Sequence, residues 1–309
     1  MHILFICRSK VGFDQNISPI VKNQGDSLVK NGHQVDYYLV GKGVVGYVQL
    51  VVGLRRLLKT NRYDIIHAHY SITSIFTTLA IPGRKLVVSL MGSDTERKGL
   101  MLFFIKIFSR YCWSKVIVKT ERMKIRFNSE RITVLPNGVD FDHFSILPKN
   151  EALAAVGFSA DKINILFLAD STRKEKNVGL ARDAVSLLHD HSVVLHEIYP
   201  VSHKMVPYYL NAADVLVLPS LYEGSVNIVK EGMACCTPIV STDVGDVREN
   251  ISTAAGCFIA NGHSADFSKK IKEAILFGKK TDGREHIKHL NSCAIAERLV
   301  LVYKSVLKS

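Results

Sequence analysis

The stretch AADVLVLPSLYEGSVNIVKEGMA, residues 212–234, has the pattern of a strand, a turn and a helix. Its apolar run at residues 215–219 has the length of a buried strand. A turn that contains Gly and Ser follows, and a helical pattern begins near Ser225. A strand that leads directly into a helix is the building unit of open α/β sheets, so this stretch predicts that class of fold.

The same alternation of short apolar runs and helical patterns continues outward along the chain. Strands are predicted at residues 3–7, 35–40, 64–69, 86–90, 116–119, 132–135, 163–169, 193–198, 215–219, 238–241 and 257–259. Strands that alternate with helices pair in parallel through right-handed crossovers. We therefore expect an α/β protein with two Rossmann-like domains, at residues 1–143 and 144–290, whose sheets face each other across a ligand-binding cleft. Residues 291–309 are predicted to form a helix that packs back toward the first domain.

The helix that opens near Ser225 offers a site for an anion. Its first backbone N–H groups have no partner within the helix, and the positive end of the helix dipole lies there, so a diphosphate can bind. The residues predicted to contact this diphosphate are Gly224, Ser225, Val226, Asn227 and Ile228. Glu231 lies about two turns inside the helix, and Glu223 precedes the turn.

A basic loop follows the strand predicted at residues 163–169. It contains Arg173 and Lys176, whose charges could neutralise a leaving diphosphate, the role that a metal ion plays in other enzymes.

Two glutamates separated by seven residues, within PSLYEGSVNIVKEGMA, resemble the signature of family-4 glycosyltransferases of the GT-B fold. This resemblance, to the group 1 type involved in polysaccharide and glycolipid biosynthesis, implies that Glu231 holds ribose hydroxyls and Glu223 contacts the donor sugar. Arg173 and Lys176 are similar to the phosphate motif of the family, although they lie closer together than in most members.

Looser similarities extend over the rest of the chain. PNGVD at residues 136–140 resembles the family's hinge, and GDVRE at residues 245–249 resembles a turn near the donor site. In the first half, ISPIVKNQ, HAHYSIT and GSD resemble acceptor-domain motifs and imply that Gly12, His69 and Asp94 lie near the cleft. The catalytic residues implied are Glu223, Lys176, Arg173, Asp94 and His69. The donor-binding residues implied are Glu231, residues 224–228, Arg173, Lys176 and Gly12.

The sequence departs from the family pattern at three positions. Met91 stands where many relatives carry a histidine that contacts the donor sugar, Val226 replaces a frequent proline, and Cys236 replaces a frequent glycine. DFD at residues 140–142 spells the metal motif of another glycosyltransferase fold, but its position in the hinge marks it as coincidence.

The resemblance implies a retaining glycosyltransferase that moves a sugar from a UDP- or GDP-sugar to a glycan or lipid-linked acceptor in cell-surface polysaccharide or glycolipid synthesis. Retention in such enzymes needs no protein nucleophile, because the departing diphosphate helps to deprotonate the acceptor hydroxyl on the same face of the sugar. We expect no metal and no cofactor.

Positive charge is concentrated in the first half of the chain. Residues 1–145 contain 21 Lys and Arg against 10 Asp and Glu, whereas the remaining residues contain 19 against 18. This asymmetry favours an anionic partner. The basic and apolar segments at residues 53–59 and 99–110 could lie on an anionic membrane, or the second could be a helix that packs on the sheet. The sequence predicts a cytoplasmic protein, either free or peripheral on the cytoplasmic face of the membrane.

Three other functions remain open at this point. A catalytically weak nucleotide-sugar-binding scaffold is suggested by Met91 and by the run ACC at residues 234–236. An epimerase on the same fold should show a different arrangement of carboxylates and histidine. Nucleic-acid binding is suggested by charge alone, without a recognised motif, so we expect no nucleic-acid partner.

Overall fold

The computed structural model describes residues 1–10, 14–95, 99–127 and 129–308, so Gly12 lies outside the described residues. The chain forms two compact units. The first unit contains Met1–Gly138 and Ser292–Ser309, and the second contains Val139–Asn291. The first passage of the chain between them thus falls five residues before the boundary expected at residue 143.

The first unit contains a six-stranded sheet in the order β2-β1-β3-β4-β5-β6. Its strands are β1 (His2–Arg8), β2 (Gln34–Val40), β3 (Ile65–His69), β4 (Val87–Ser89), β5 (Lys115–Val118) and β6 (Ile132–Val134). Its helices within the first 138 residues are α1 (Pro19–Lys30), α2 (Gly43–Thr60), α3 (Ser71–Ala80), α4 (Gly92–Thr95), α5 (Leu100–Tyr111) and α6 (Glu121–Ile125).

The second unit contains a five-stranded sheet in the order β11-β10-β9-β7-β8. Its strands are β7 (Ile163–Phe167), β8 (Val193–Glu197), β9 (Val215–Leu218), β10 (Ile239–Thr242) and β11 (Cys257–Ala260). Its helices are α7 (Lys149–Val156), α8 (Val178–Ser186), α9 (Val206–Ala212), α10 (Asn227–Ala234), α11 (Val247–Ile251), α12 (Ser264–Phe277) and α13 (Gly283–His286). The last helix of the chain, α14 (Ser292–Lys308), belongs to the first unit.

The strand pairs of both sheets are parallel, which confirms the predicted fold class. In the second sheet Leu216 of β9 lies opposite Leu166 of β7 on one side and Ile239 of β10 on the other. Each predicted strand has a counterpart in the structure. The inner strands, such as β3 and β9, are fully buried, as their apolar runs predict, whereas the edge strands β2, β8 and β11 are mostly partly buried.

One face of the first sheet is covered by α2, α3 and α5. Leu50 and Leu54 of α2 and Ile105 of α5 are buried in the same core cluster, and Trp113 donates its indole N–H to Thr78 Oγ1 at 3.0 Å. The segment at residues 99–110 is therefore a packing helix on its buried side. Among the described residues, no helix combines the length and the apolar composition that crossing a bilayer requires.

The final helix α14 packs on α1 and reaches the centre of the first sheet. The hydroxyl of Tyr303 lies 2.7 Å from Nδ1 of His67, whose Nε2 lies 2.9 Å from Ser89 Oγ. Burial lowers the pKa of His67 well below its ordinary value, so its ring is neutral and both nitrogens depend on these two partners.

We expect Tyr303→Phe to lower the free energy of unfolding by about 1–3 kcal/mol, because it leaves a buried ring nitrogen of His67 without its partner. Urea unfolding followed by circular dichroism measures this loss. Tyr111→Phe is the control, since Tyr111 is 68% exposed, and it should change stability by less than about 0.5 kcal/mol. Equal urea midpoints for wild type and Tyr303→Phe would contradict the assignment.

Candidate functional site

Two loops at the carboxyl edge of the second sheet carry most of the predicted site residues. One follows β7 and the other follows β9, and these strands are neighbours in the parallel sheet. The loops are joined directly: Leu221 N–H donates to Glu175 O at 2.9 Å, and Asn177 Nδ2 donates to Pro219 O at 3.2 Å. Ligands of open parallel sheets bind at this edge, so the loops stand where a site is expected.

Lys176 and Glu223 form an ion pair between the two loops. Glu223 also accepts a hydrogen bond from Ser220 Oγ at 3.1 Å. Both side chains are mostly buried, with 16% and 18% exposure, so the pair is only weakly screened by solvent. The structure thus brings together the two residues that were predicted for the diphosphate and the sugar.

Arg173 does not join this pair in the structure. Its Nε donates to Glu175 Oε1 at 2.8 Å, two residues along the same loop, and its side chain is 54% exposed. The arginine predicted for the diphosphate is therefore an exposed neighbour of Lys176, and Lys176 is the cation held against Glu223.

The loop before α10 is held by Asp246, which is not among the predicted site residues. Asp246 Oδ1 accepts the N–H of Val226 at 2.8 Å, and Oδ2 accepts Ser225 Oγ at 2.9 Å. The N–H of Val226 and the hydroxyl of Ser225, both predicted to contact the diphosphate, are thus hydrogen-bonded to Asp246 in this structure. Gly224, Asn227 and Ile228 are only partly buried.

Lys230, from the second turn of α10, completes this arrangement. Its Nζ lies 2.6 Å from Asp246 Oδ2 and 2.5 Å from Ser225 Oγ, and the Lys230 and Asp246 side chains are only 1% and 4% exposed. A buried ion pair is stable only when its remaining hydrogen-bonding capacity is filled, as it is here. The available signal in the sequence was Lys230 itself, which directly follows the apolar residues Ile228 and Val229.

Gly245 allows the turn that carries Asp246 to approach the glutamate loop. Its φ is +56°, and a Cβ atom there would lie 2.1 Å from the carbonyl oxygen of Gly224. Any other residue would be strained in this conformation and would push the two turns apart. The GDVRE turn and the loop at residues 223–226 are therefore one packed unit.

Glu231 follows Lys230 on α10 and is partly buried. Its desolvation raises the pKa to about 7, and the neighbouring charge of Lys230 only partly offsets this. Among the described residues its carboxyl group has no hydrogen-bond partner. A carboxylate kept in this environment can accept hydrogen bonds from a ligand at little cost in lost protein contacts.

His69 and Asp94, predicted for the first unit, are both buried. His69 is 0% exposed and stacks on His67 with ring centroids 4.4 Å apart. Burial and the charge of Lys119 lower its pKa to about 3, so the ring is neutral, and neither nitrogen has a hydrogen-bond partner among the described residues. In this arrangement His69 is a packing residue, whose ring has no exposed atoms to offer a ligand.

Asp94 accepts hydrogen bonds from Ser71 N–H at 3.0 Å, Ser71 Oγ at 2.5 Å and Met91 N–H at 2.7 Å. It therefore joins the start of α3 to the turn after β4. The Asp140 carboxylate likewise accepts the N–H groups of Asp142 and His143, so DFD serves as a turn.

Two family models match the chain. Residues 22–143 match the model described as Glycosyltransferase Family 4, and residues 178–276 match the one described as Glycosyl transferases group 1. The second match includes all the residues at the loop after β9 and on α10. The chain is similar to an Escherichia coli protein named UDP-Gal:alpha-D-GlcNAc-diphosphoundecaprenol alpha-1,3-galactosyltransferase, with 24% identity over 63% of the chain and 61% of that protein.

A second relative is the Bacillus subtilis protein named putative teichuronic acid biosynthesis glycosyltransferase TuaC, 27% identical over 60% of the chain and 54% of that protein. The chain thus spans about three fifths of the length of these relatives. Among solved structures, sucrose-phosphate synthase from Thermosynechococcus elongatus matches with a TM-score of 0.82 at 16% identity, over 100% of both chains. Anabaena HepE in complex with UDP matches with a TM-score of 0.77 at 16% identity, over 99% and 100%.

Breaking one side of the buried pair should cost more stability than removing both charges. We expect Lys230→Met and Asp246→Asn each to lower the free energy of unfolding by about 3–5 kcal/mol, because each leaves a buried charge unpaired. The double variant should lose less than either single variant, because neither charge is then left unpaired. Urea unfolding of the four proteins measures this coupling.

Arg182 and Glu197 provide the matched control, because their ion pair is 57% and 27% exposed. The corresponding variants Arg182→Met and Glu197→Gln should each cost less than about 1 kcal/mol. Additive losses for Lys230 and Asp246 would mean that the pair does not hold the loop.

Glu231→Gln should stabilise the protein at high pH. Folding raises the pKa of this carboxyl from its ordinary value of 4.5 to about 7, so the folded state favours the neutral form. The wild type therefore loses stability relative to Glu231→Gln as the pH rises from about 4.5 to about 7, and the difference levels off above pH 7. We expect the variant to be more stable by roughly 2–3 kcal/mol at pH 8 and equal to wild type near pH 4.

Urea unfolding at a series of pH values checks this prediction. The control is Glu151→Gln, which replaces an exposed glutamate on α7 and should change stability by less than about 0.5 kcal/mol. A difference between Glu231→Gln and wild type that stays constant from pH 4 to pH 8 would contradict the raised pKa.

Proposed function

Because the chain belongs to the family-4, group 1 glycosyltransferases, we propose that it moves a sugar from a nucleotide-sugar donor to a glycan or lipid-linked acceptor. The observation that carries this proposal is the cluster at the carboxyl edge of the second sheet. There Lys176 and Glu223 are paired, and the same loop leads into the helix that carries Glu231.

Each residue of this cluster would contact a different part of the donor. Glu231 would accept hydrogen bonds from the ribose hydroxyls, and Lys176 would neutralise the diphosphate, with Arg173 as a second, exposed cation. The half-buried backbone of Gly224, Asn227 and Ile228 would lie against the phosphates. Glu223 would contact the sugar once Lys176 turns from its carboxylate to the diphosphate. Asp246 and Lys230 would hold the loop in position without contacting the donor.

The transfer step proposed is retaining and independent of a metal. The bond between the anomeric carbon and the diphosphate oxygen breaks, and a bond to the acceptor oxygen forms on the same face of the sugar. The acceptor proton passes to the departing diphosphate, whose growing negative charge Lys176 would stabilise. The protein then acts by positioning and electrostatics and needs no nucleophile of its own.

The proposed donor is a UDP- or GDP-sugar, and the proposed acceptor is a cell-surface glycan or its lipid-linked precursor. The Escherichia coli relative is named for a UDP-sugar donor and a diphosphoundecaprenol-linked acceptor, which supports this choice. The proposal includes peripheral association with the cytoplasmic face of an anionic membrane. Among the described residues no disulfide joins any of the six cysteines, in keeping with a reducing compartment.

Met91 favours a second function, a scaffold that binds a nucleotide-sugar but transfers it poorly. The family pattern often has a histidine at this position, whereas the Met91 side chain is 8% exposed and its N–H donates to Asp94. Nucleotide binding without any transfer or hydrolysis of the bound donor would favour the scaffold.

Isothermal titration calorimetry against UDP, GDP and ADP, in buffer with a chelator, tests the donor site. We expect one nucleotide to bind and Glu231→Gln to weaken it at least about tenfold, which is about 1.4 kcal/mol. The exposed Glu151→Gln should bind as wild type does. Failure of all three nucleotides to bind at millimolar concentration would overturn the donor site and the enzyme proposal with it.

The pH dependence of binding gives a second readout of the same site. With UDP-glucose as the probe, whose diphosphate does not titrate between pH 6 and pH 8, affinity should fall about tenfold from pH 8 to pH 6, as Glu231 takes up a proton. Glu231→Gln should bind weakly and equally at both pH values. An unchanged dependence in the variant would assign the titration to another group.

A further inference from the structure

A strongly basic stretch of the first unit runs from α5 to the start of β6. Residues 99–131 contain eight Lys and Arg against two acidic residues, Glu121 and Glu130. Glu121 is already opposed by a neighbouring cation, because its carboxylate lies 3.7 Å from Lys124 Nζ. An excess of this size on one segment attracts anions.

A cavity of about 300 Å³ lies within this basic stretch. One wall is the second half of α5, with Lys106, Ser109 and Arg110, and the other begins at Ile125, the last residue of α6, and continues into the segment that follows it. Sites for small molecules in proteins have volumes of about 300–1,000 Å³. The cavity therefore has room for one small organic molecule.

The inner lining of the cavity is buried, and its rim is positively charged. Ser109 and Phe127 are 2% and 6% exposed, and Ser109 Oγ donates to the carbonyl oxygen of Lys106 at 2.8 Å. Lys106, Arg110 and Arg126 line the cavity as exposed residues. The described residues that line it include no Asp or Glu. Cations around an aromatic ring suit a ligand that joins a phosphate to a ring.

The ends of the two helices explain only part of this charge. A cation near the carboxyl end of a helix is stabilised by the helix dipole, which accounts for Arg110 in the last turn of α5 and for Arg126 directly after α6. Lys106 lies more than one turn before the end of α5, beyond the reach of this effect. The dipole also gives no reason for a cavity at the point where three cations meet.

The cavity does not lie at the edge of the sheet where substrates of this fold are expected. Helix α5 begins beyond the carboxyl end of β4 and leads back to the start of β5, so its second half lies toward the amino edge. Phe127 and Ser129 likewise lead back to the start of β6. Because substrates of open parallel sheets bind beyond the carboxyl ends of the strands, a molecule in this cavity would bind without reacting.

We propose that this cavity is a binding site for a small soluble organic phosphate, a phosphomonoester of about the size of a sugar phosphate. Lys106 and Arg110 contact the phosphate from α5, Arg126 contacts it from the opposite wall, and the ring of the ligand packs on Phe127. The site does not rest on the proposed transferase function, because all the residues that line it belong to the first unit.

Trp113 can report on this site without interference from the second unit. It is the only tryptophan of the chain, it follows α5 after two residues, and its carbonyl oxygen accepts Arg131 Nη1 at 2.9 Å. We use ribose 5-phosphate as the probe, with ribose and inorganic phosphate beside it. We expect ribose 5-phosphate to bind by calorimetry and to change the fluorescence of Trp113 at the same concentrations. Its affinity should exceed that of ribose at least about tenfold and fall as salt is added.

Two variants weaken the proposed contacts without burying a new group. Lys106→Gln/Arg110→Gln should lower the affinity for ribose 5-phosphate at least about tenfold, because it removes charge-assisted hydrogen bonds to the phosphate. Ile125→Glu should do the same by placing a negative charge at the rim, where Ile125 is 81% exposed.

Matched controls come from other helices of the same unit. Arg56→Gln/Lys59→Gln removes the same two charges from the exposed end of α2, and Leu301→Glu adds the same negative charge at a residue of α14 that is 65% exposed. Both should bind ribose 5-phosphate as wild type does. Thermal unfolding of every variant separates loss of binding from loss of folding. Equal weakening by the controls would mean a general attraction to a basic protein and would overturn the site.

Two further measurements separate this site from its alternatives. Lys176→Met, in the second unit, should leave the binding of ribose 5-phosphate unchanged, whereas loss of binding in this variant would assign the probe to the donor site. If phosphatidylglycerol vesicles change the fluorescence of Trp113 and ribose 5-phosphate does not, the ligand is a lipid headgroup and the proposal fails. If wild type binds its nucleotide but no ribose 5-phosphate at millimolar concentration, the cavity is not a phosphate site, while the proposed donor site stands.

Discussion

Lys230 and Asp246 form an ion pair from which water is almost entirely excluded, and the second unit's site is organised around it. Removing two charges from water is costly, so the pair is stable only because Asp246 also accepts the N–H of Val226 and the hydroxyl of Ser225. These contacts hold the loop between β9 and α10 against the turn at Gly245. Glu231 follows Lys230 on the same helix, while Glu223 at the start of this loop is held by Lys176 and Ser220.

The two glutamates themselves are not placed for stability. Glu231 is desolvated without a hydrogen bond from any described residue, and its pKa rises to about 7 as a result. Glu223 is committed to Lys176, a partner that the proposed donor would take over. Desolvated carboxyl groups and ion pairs that a ligand can replace are typical of binding sites, where groups that bind a ligand often lower the stability of the free protein. The neighbouring Lys230 and Asp246, by contrast, are satisfied by each other.

The first unit shows a different division of roles. Its carboxyl edge is tied together by Asp94, which joins α3 to the turn after β4, while α14 fastens the middle of the sheet through Tyr303 and His67. Outside this framework, α2 and α5 keep apolar side chains on their solvent faces, which folding alone does not explain. These side chains accompany the excess of positive charge in the first half of the chain, in keeping with the membrane association included in the proposed function.

The sequence by itself determined the order of strands and helices and the two parallel sheets, because apolar runs and helical periodicity are local properties of the chain. It contains the spacing of Glu223 and Glu231, whose roles are what the family resemblance implies. It also showed that the positive charge lies in the first half. It could not decide between a packing helix and a surface helix for residues 99–110. In the tertiary structure this helix packs on the core through Ile105 and exposes Phe103 to solvent, so it is both a packing helix and a surface helix.

Partners distant in the chain were likewise decided only by the fold. Asp246 lies sixteen residues beyond Lys230, and the two meet because β10 returns the chain to the same edge of the sheet. Asp246 also accepts the N–H of Val226, which the helix pattern alone predicts to be open to a ligand. His69 resembled a site residue in the sequence, yet the structure buries it against His67. Whether a residue is buried or paired depends on residues that pack against it from elsewhere in the chain. The local spacing of residues therefore cannot predict it.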